Sequence, residues 1–324
     1  MPLIENSEYH ISGFLYRNPH FTTIFVNKIR KTIRPPYRRE RLELADGDFL
    51  DIDFVIKNKR KAVVLCHGLE GSSDRNYNNT AAEYFLKNDF SVFAWNNRSC
   101  SGEMNRSPKL YHHAAIDDLD SAVKFVMNRG FEEIYLLGFS MGGVQILNYF
   151  GKTDPDNRIK AGVAISSPIY LKTTAEILKM GFNRIYLENF LIAIKRKLRQ
   201  KSIKYPDLAD WMKVMASKDF DGIDEYFTAP VHGFSSADDY YSKASPGALL
   251  QKIRTPVLIL NAMDDPFLGA DSFPKEIASK SDFVFLETPD CGGHCAFPLK
   301  KSKFSYSEKR AYEFFNSEIT AIGL

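Results

Sequence analysis

The stretch Ile134-Tyr135-Leu136-Leu137-Gly138-Phe139-Ser140-Met141-Gly142-Gly143 joins an apolar, β-prone run, Ile134 to Leu137, to an apolar, helix-compatible one, Val144 to Phe150. A strand, a Gly-x-Ser-x-Gly turn and a helix in that order make a nucleophile elbow. The turn is so tight that the serine backbone is strained and its neighbours must lack bulk, which accounts for Gly138 and Gly142. Ser140 Oγ then stands clear of the sheet, and an oxyanion formed by its attack lies at a helix N-terminus. Gly233-Phe234-Ser235 repeats the first three letters, but Ala237 replaces the second glycine and no apolar strand precedes it. Ser235 therefore reads as a loop residue, and Ser140 as the candidate nucleophile.

Outward from the elbow, β-prone runs and helical patterns alternate from residue 41 onward. Arg41 to Leu44, a turn at Asp46-Gly47 and Phe49 to Ile56 read as an antiparallel hairpin, because Asp-Gly favours the tight hairpin turn. Ala62 to Cys66 is a short continuous apolar run, as suits a strand buried on both faces. Asn78 to Leu86 reads as a helix, Ser91 to Trp95 as a strand and Ala115 to Met127 as a helix. Glu133 to Leu137 is the strand into the elbow, Met141 to Phe150 its helix, and Ala161 to Ile165 the next strand. Such alternation predicts an α/β architecture, a mostly parallel central sheet with helices on both faces.

That rhythm stops at Ser167-Pro168 and resumes near Ala244-Ser245-Pro246, with only helical patterns between. It closes with a helix at Gly247 to Ile253, a strand at Pro256 to Asn261 and a helix near Asp271 to Ala278. A strand at Phe283 to Leu286 and a helix at Ser307 to Ile319 finish the chain. An insertion of that length between two sheet strands is no simple loop. It reads as a helical cap over the strands' C-terminal edge, where open α/β sheets bind ligands. The expected organisation is a first core part at residues 1–166 with an N-terminal extension, a cap at 167–243 and a second core part at 244–324.

The 324 residues suffice for one large domain or two small ones. An apolar content of 44% and a charged content of 26% suit a soluble globular protein with a sizeable core. A net charge of +3 is too small to argue for nucleic acid, and no recognition motif for it is present. The start shows no basic-then-apolar signal region, and no apolar run approaches the length of a membrane span, so a soluble, cytoplasmic protein is expected. Cys66, Cys100, Cys291 and Cys295 are scattered and read as reduced thiols. Cys291-Gly-Gly-His294-Cys295 looks metal-like, but a closed site needs further ligands. Cys66 and His67, as neighbours on a strand, point to opposite faces. No metal and no cofactor is expected.

A serine hydroxyl is a poor nucleophile at neutral pH and needs a positioned base, normally histidine. His10 and His20 precede the expected sheet, His112 and His113 lie in a polar connection, and His232 ends the insertion. His294 follows the last expected strand, and Gly292 and Gly293 let the backbone bring its imidazole over the elbow. The base needs a carboxylate to fix its tautomer. The strand Val257 to Leu260 runs into Asn261-Ala262-Met263-Asp264-Asp265-Pro266, and only one of the two aspartates can face the histidine. Two N–H donors should hold the oxyanion: Met141, after the nucleophile, and one from His67-Gly68-Leu69-Glu70-Gly71. Gly68 and Gly71 let that loop fold toward the serine, which assigns the second donor to Leu69. His67 reads as a structural residue shaping the loop.

The chain resembles the YheT-like branch of the α/β-hydrolase superfamily, a group of serine esterases. The resemblance rests on Asn18-Pro19-His20, Leu44-Ala-Asp-Gly-Asp-Phe49, His67-Gly-Leu-Glu-Gly-Ser72 and Cys100-Ser-Gly-Glu103 with Asn105-Arg106. It continues through Gly138-Phe-Ser-Met-Gly-Gly143, Phe227-Thr-Ala-Pro230, Gly233-Phe234, Ala237-Asp-Asp-Tyr-Tyr241, Asp264-Asp-Pro-Phe267 and Gly292-Gly-His294. It implies an α/β-hydrolase fold and places catalytic serine, aspartate and histidine on Ser140, Asp265 and His294. In related hydrolases a small residue ends the acid's strand and the acid follows three positions later. Ala262 then points to Asp265, with Asp264 its solvated or turn-forming neighbour. Ser99 stands where the family has glycine, and Phe21-Thr22 alters the early Asn-Pro-His segment.

The activity implied is hydrolysis of small-molecule carboxylic esters, on short- to medium-chain acyl or acylglycerol-type substrates. Acyl transfer to an alcohol is the alternative, and a hydrolase-fold binding protein without catalysis a minor one. No nucleic acid or protein partner is implied. Leu171 to Lys204 is rich in Leu, Ile, Phe and Tyr, and Lys195-Arg196-Lys197-Leu198-Arg199 adds a basic cluster. It reads first as a solvated charged face of a capping helix. The second reading is weak contact with an anionic membrane surface.

Overall fold

In the computed structural model, residues 3–4, 7–11, 15–25 and 32–321 are described. Their strands are β1 (Leu3–Ile4), β2 (Arg38–Glu43), β3 (Phe49–Val55), β4 (Lys61–Cys66) and β5 (Ser91–Asn96). β6 (Glu133–Phe139), β7 (Ile159–Ile165), β8 (Val257–Leu260) and β9 (Val284–Glu287) complete one sheet, ordered β1-β9-β8-β7-β6-β4-β5-β3-β2. Every pairing is parallel except β2 with β3 and β3 with β5, so only β3 runs against the rest. The hairpin has the expected position and sense. β1 was not foreseen: two residues carry no readable period, and pairing with β9 alone makes them a strand.

The alternation of side chains along each strand builds two cores. Ala62, Val64 and Cys66 of β4 face one layer, Val63 and Leu65 the other. The first layer is filled from α3 (Ile116–Met127) and α4 (Met141–Lys152), with Leu119, Val123, Ile146 and Phe150 buried. The second is filled from α2 (Asn76–Lys87) and α12 (Tyr306–Ala321), with Phe85, Phe314 and Phe315 buried. Each such side chain contributes about 1.5–3 kcal/mol of burial free energy. An N-terminal helix, α1 (Pro19–Ile24), begins where Asn18 accepts the Phe21 N–H and Pro19 needs no donor partner.

Between β7 and β8 the described chain is helical: α5 (Leu171–Leu178), α6 (Arg184–Lys204), α7 (Trp211–Ala216) and α8 (Phe220–Ile223). A π-helical turn at Asp224–Thr228, α9 (Ala229–His232) and α10 (Ala237–Ala244) follow. Two expected helices come out differently. Gly247–Lys252 is a 3-10 helix. The helix expected near Asp271 to Ala278 is split into a short 3-10 turn and α11 (Lys275–Lys280) by Pro274, whose ring and missing N–H interrupt a helix interior. Among the described residues no helix is long and apolar enough to cross a membrane.

Candidate active site

β6 delivers the chain to Ser140, and α4 starts at the next residue. Ser140 has φ +53° and ψ −118°, a strained backbone for a residue with a Cβ, costing about 1–3 kcal/mol. Its surroundings impose it. Ser140 N–H donates to the Ile165 carbonyl at 2.8 Å, and the Ser140 carbonyl accepts from Gly143 N at 3.0 Å and Ser167 Oγ at 3.1 Å. A Cβ on Gly138 would lie 2.4 Å from the Gly142 carbonyl carbon, and one on Gly142 would lie 2.1 Å from the Cys66 carbonyl oxygen. β6, α4 and β4 can meet this closely only with glycine at both positions.

Asp265 follows β8, and His294 sits in the long connection after β9; both are buried. His294 Nδ1 lies 2.9 Å from Asp265 Oδ2 and 3.1 Å from Oδ1. A carboxylate there holds the proton on Nδ1 and leaves the lone pair on Nε2. Burial works against a charged imidazole, but the Asp265 carboxylate, with Cys295, outweighs it and raises the His294 pKa. The Phe267 ring lies tilted by 31° against His294 with centroids 4.1 Å apart, and the Phe267 backbone N–H donates to Asp265 Oδ1 at 2.9 Å. Asp264 is the turn-forming neighbour and is half-buried. The His294 connection folds over it, Gly293 N–H donates to its Oδ1 at 2.9 Å, and burial pushes its pKa up to about 6.

The loop after β4 passes against the elbow, since a Cβ on Gly68 would lie 3.2 Å from Ser140 Cβ. Gly71 N–H closes it onto the Gly68 carbonyl at 2.9 Å, where a Cβ on Gly71 would meet that oxygen at 2.8 Å. The backbone N–H groups of Leu69 and Met141 donate to no protein atom among the described residues. His67 is buried, with Nδ1 2.7 Å from the Gly68 carbonyl and Nε2 accepting from Asn97 N–H at 3.0 Å. Burial pushes its pKa down to about 3, so both nitrogens of a neutral ring are spent on holding the loop.

Ser140, His294, Leu69 and Met141 open onto one cavity of about 110 Å³. Its walls are mainly apolar and come from the inserted helices, with Leu171 and Leu178 on α5, Phe190, Ile194 and Leu198 on α6, and Phe227 on the π-helical turn. His112, His113 and His232 also line it, although the sequence placed the first two in a polar connection and the third at the end of the insertion. Burial pushes His113 and His232 down to about 4 and lowers His112 strongly, so this wall is made of neutral imidazoles. Ser235 is absent from the lining.

Two supports escaped sequence reasoning. Thr23 on α1 accepts the His294 N–H at 2.9 Å, so the N-terminal helix helps seat the histidine. Its signal was available: Asn18-Pro19 is a helix start, but nothing local says what that helix packs against. Asn261 at the end of β8 is buried and bridges Ser167 and Ser272 with three hydrogen bonds, tying β7 and β8 together beside the elbow.

The basic cluster on α6 is not one charged face. Lys195 caps the α7 end by donating to the Met215 and Ser217 carbonyls, and Lys197 turns inward to Glu70. Arg196 and Arg199 remain exposed. Helical periodicity explains the split, because five successive residues go more than once round the helix.

Residues 61–301 match the family described as alpha/beta hydrolase fold. The chain is 30% identical over 293 residues to YheT of Escherichia coli (strain K12), covering 87% of this chain and 85% of that one. Phospholipase ABHD3 of Bos taurus is 30% identical over 275 residues, 81% of this chain and 66% of its own. Monoacylglycerol lipase of Saccharomyces cerevisiae is 30% identical over 278 residues, 81% of this chain and 61% of its own. Among solved structures, the Pyrococcus furiosus esterase Pf2001 superposes with a TM-score of 0.56 at 19% identity, over 89% of this chain and 91% of that one, a likeness of fold. The chain belongs to the α/β-hydrolase fold family, in its YheT-like branch, and is a hydrolase.

Proposed function

We propose that this protein is a serine carboxylic ester hydrolase working through an acyl-enzyme on Ser140. One observation carries the reading: a serine on a strained elbow and a histidine paired with a buried aspartate open onto the same mainly apolar cavity. Ser140 Oγ attacks the ester carbonyl while His294 Nε2 takes its proton, and Asp265 stabilises the imidazolium. The oxyanion is held by Leu69 and Met141 N–H, each donor supplying about 3 kcal/mol. His294 then protonates the leaving alcohol, the C–O bond breaks, and the Ser140 acyl ester remains. Water, deprotonated by His294, releases the acid and restores the serine.

Residues 167–243 act as the cap that shapes the acyl site. The size and apolar walls of the cavity favour short- to medium-chain acyl or acylglycerol-type esters. The same walls favour an alcohol as acceptor, which makes acyl transfer the second reading.

The test is a panel of p-nitrophenyl esters from acetate to palmitate, assayed with and without ethanol. We expect kcat/KM to peak at short or medium chains, with the free acid as the main product. A peak at palmitate contradicts the chain-length assignment, ethyl ester as the main product shifts the function to acyl transfer, and no turnover of any ester contradicts the proposal.

A further inference from the structure

Helix α6 reaches the oxyanion loop through a single buried cation. Lys197 Nζ lies 2.8 Å from Glu70 Oε1, and the two side chains are only 11% and 8% exposed. Glu70 directly follows Leu69, and its backbone has φ +53°, a left-handed conformation that a residue with a Cβ adopts at a cost. Its hydrogen bonds enforce that conformation. Glu70 N–H donates to Tyr111 Oη at 3.0 Å, and Tyr111 O–H in turn donates to Glu70 Oε1. Lys197 completes the cluster, donating to Cys100 Sγ at 3.3 Å and lying 5.2 Å from the Tyr111 ring centroid. Cys100 and Tyr111 in turn pack on Met141, with Leu69 against them. Both expected oxyanion donors therefore lean on one polar knot, and its cation comes from the inserted helices.

We propose that Lys197 and Glu70 are a positioning pair that couples the seating of α6 to the placement of the Leu69 N–H donor. The proposal rests on the ester-hydrolase reading above. The pair is one of several inward contacts along α6. Lys201 donates to the Asn105 carbonyl at 3.0 Å, and Lys204 to the Arg106 carbonyl at 2.8 Å. Those two anchor the helix to the connection after β5. Lys197 differs, because its partner belongs to the oxyanion loop. A displaced α6 leaves Glu70 buried without its cation, a state that the low-dielectric surroundings disfavour strongly. The strained backbone at Glu70 then loses one of its holders, and the adjacent N–H shifts. Substrates that seat α6 over the cavity thereby also set the donor. Lys197 does not line the cavity, whereas Glu70 borders it, and the pair acts through the backbone of the loop.

The test is a double-mutant cycle with Lys197→Met, Glu70→Gln and the pair together, assayed on p-nitrophenyl butyrate beside Ser140→Ala. Circular dichroism and gel filtration establish the folded fraction of each variant. We expect Lys197→Met to lower kcat per folded molecule by about tenfold or more, part of the 10²–10³ that a whole oxyanion donor is worth. KM should change less than kcat, because Lys197 does not line the cavity and the donor it positions acts on the transition state. The double variant should be no worse than the worse single one, since the coupling can be lost only once. If Lys197→Met does not fold, the double variant, which leaves no unpaired charge, decides on the same criterion. Wild-type kcat in the folded variants overturns the proposal, as does a rise in KM at constant kcat. Full turnover by Ser140→Ala instead overturns the underlying hydrolase reading.

Discussion

Ser140→Ala is expected to lower kcat for carboxylic esters by about 10⁶-fold, the scale seen when the nucleophile of a Ser-His-Asp hydrolase is removed. Only the hydroxyl is lost. Alanine has the same Cβ and meets the same strain at φ +53°, and the backbone bonds to Ile165, Gly143 and Val144 do not involve the side chain. The thermal midpoint should therefore stay close to wild type, which separates lost chemistry from lost fold. The Asp265-paired imidazole and the Leu69 and Met141 N–H groups remain in the variant, so a small residual rate is expected. Steady-state kinetics and a thermal melt on the purified variant check both halves. A loss of less than about 100-fold, measured against these magnitudes, contradicts Ser140 as the nucleophile.

Asp265→Asn is expected to lower kcat/KM by about 10⁴-fold, because an amide would no longer hold the proton on Nδ1 and the imidazole would present the wrong tautomer to Ser140. The sign of its pH effect follows from the site. The Asp265 carboxylate raises the His294 pKa against the opposing effect of burial. A general base works only when neutral, so a raised pKa moves the acid limb of the wild-type rate profile to higher pH. Without the carboxylate, burial prevails, the imidazole pKa falls, and the residual activity of the variant extends to lower pH. An acid limb unmoved or shifted upward contradicts the pairing. Asp264→Asn makes the comparison informative. Asp264 accepts the Gly293 N–H and faces the backbone of the histidine connection, so its loss disturbs the loop and leaves the tautomer intact. Its effect should be at least tenfold smaller than that of Asp265→Asn.

What the sequence made legible followed the strength of local physics. The elbow could be read because strand, glycine spacing and helix lie in one short segment, and the Cβ clashes at Gly138 and Gly142 show the steric reason for the spacing. The sheet could be read because strands buried on both faces are continuous apolar runs, as at Ala62 to Cys66. β1 could not, because its two residues become a strand only by pairing with a segment almost at the other end of the chain. The same holds for Thr23 and His294, which are 271 positions apart and joined by one hydrogen bond. Charge patterning misled for a different reason. Lys197 looks like part of a solvated cluster, yet helical geometry turns it toward Glu70, far away in sequence. Long-range pairing of polar groups has no period, and it is what the sequence alone concealed.

The most direct test of Ser140 as the nucleophile is the site of covalent attachment of a fluorophosphonate ester, read by intact mass and peptide mapping. A single adduct is expected on the peptide containing Ser140, absent from Ser140→Ala, with labelling slowed in Asp265→Asn. An adduct on any other residue, or undiminished labelling of Ser140→Ala, would contradict that role.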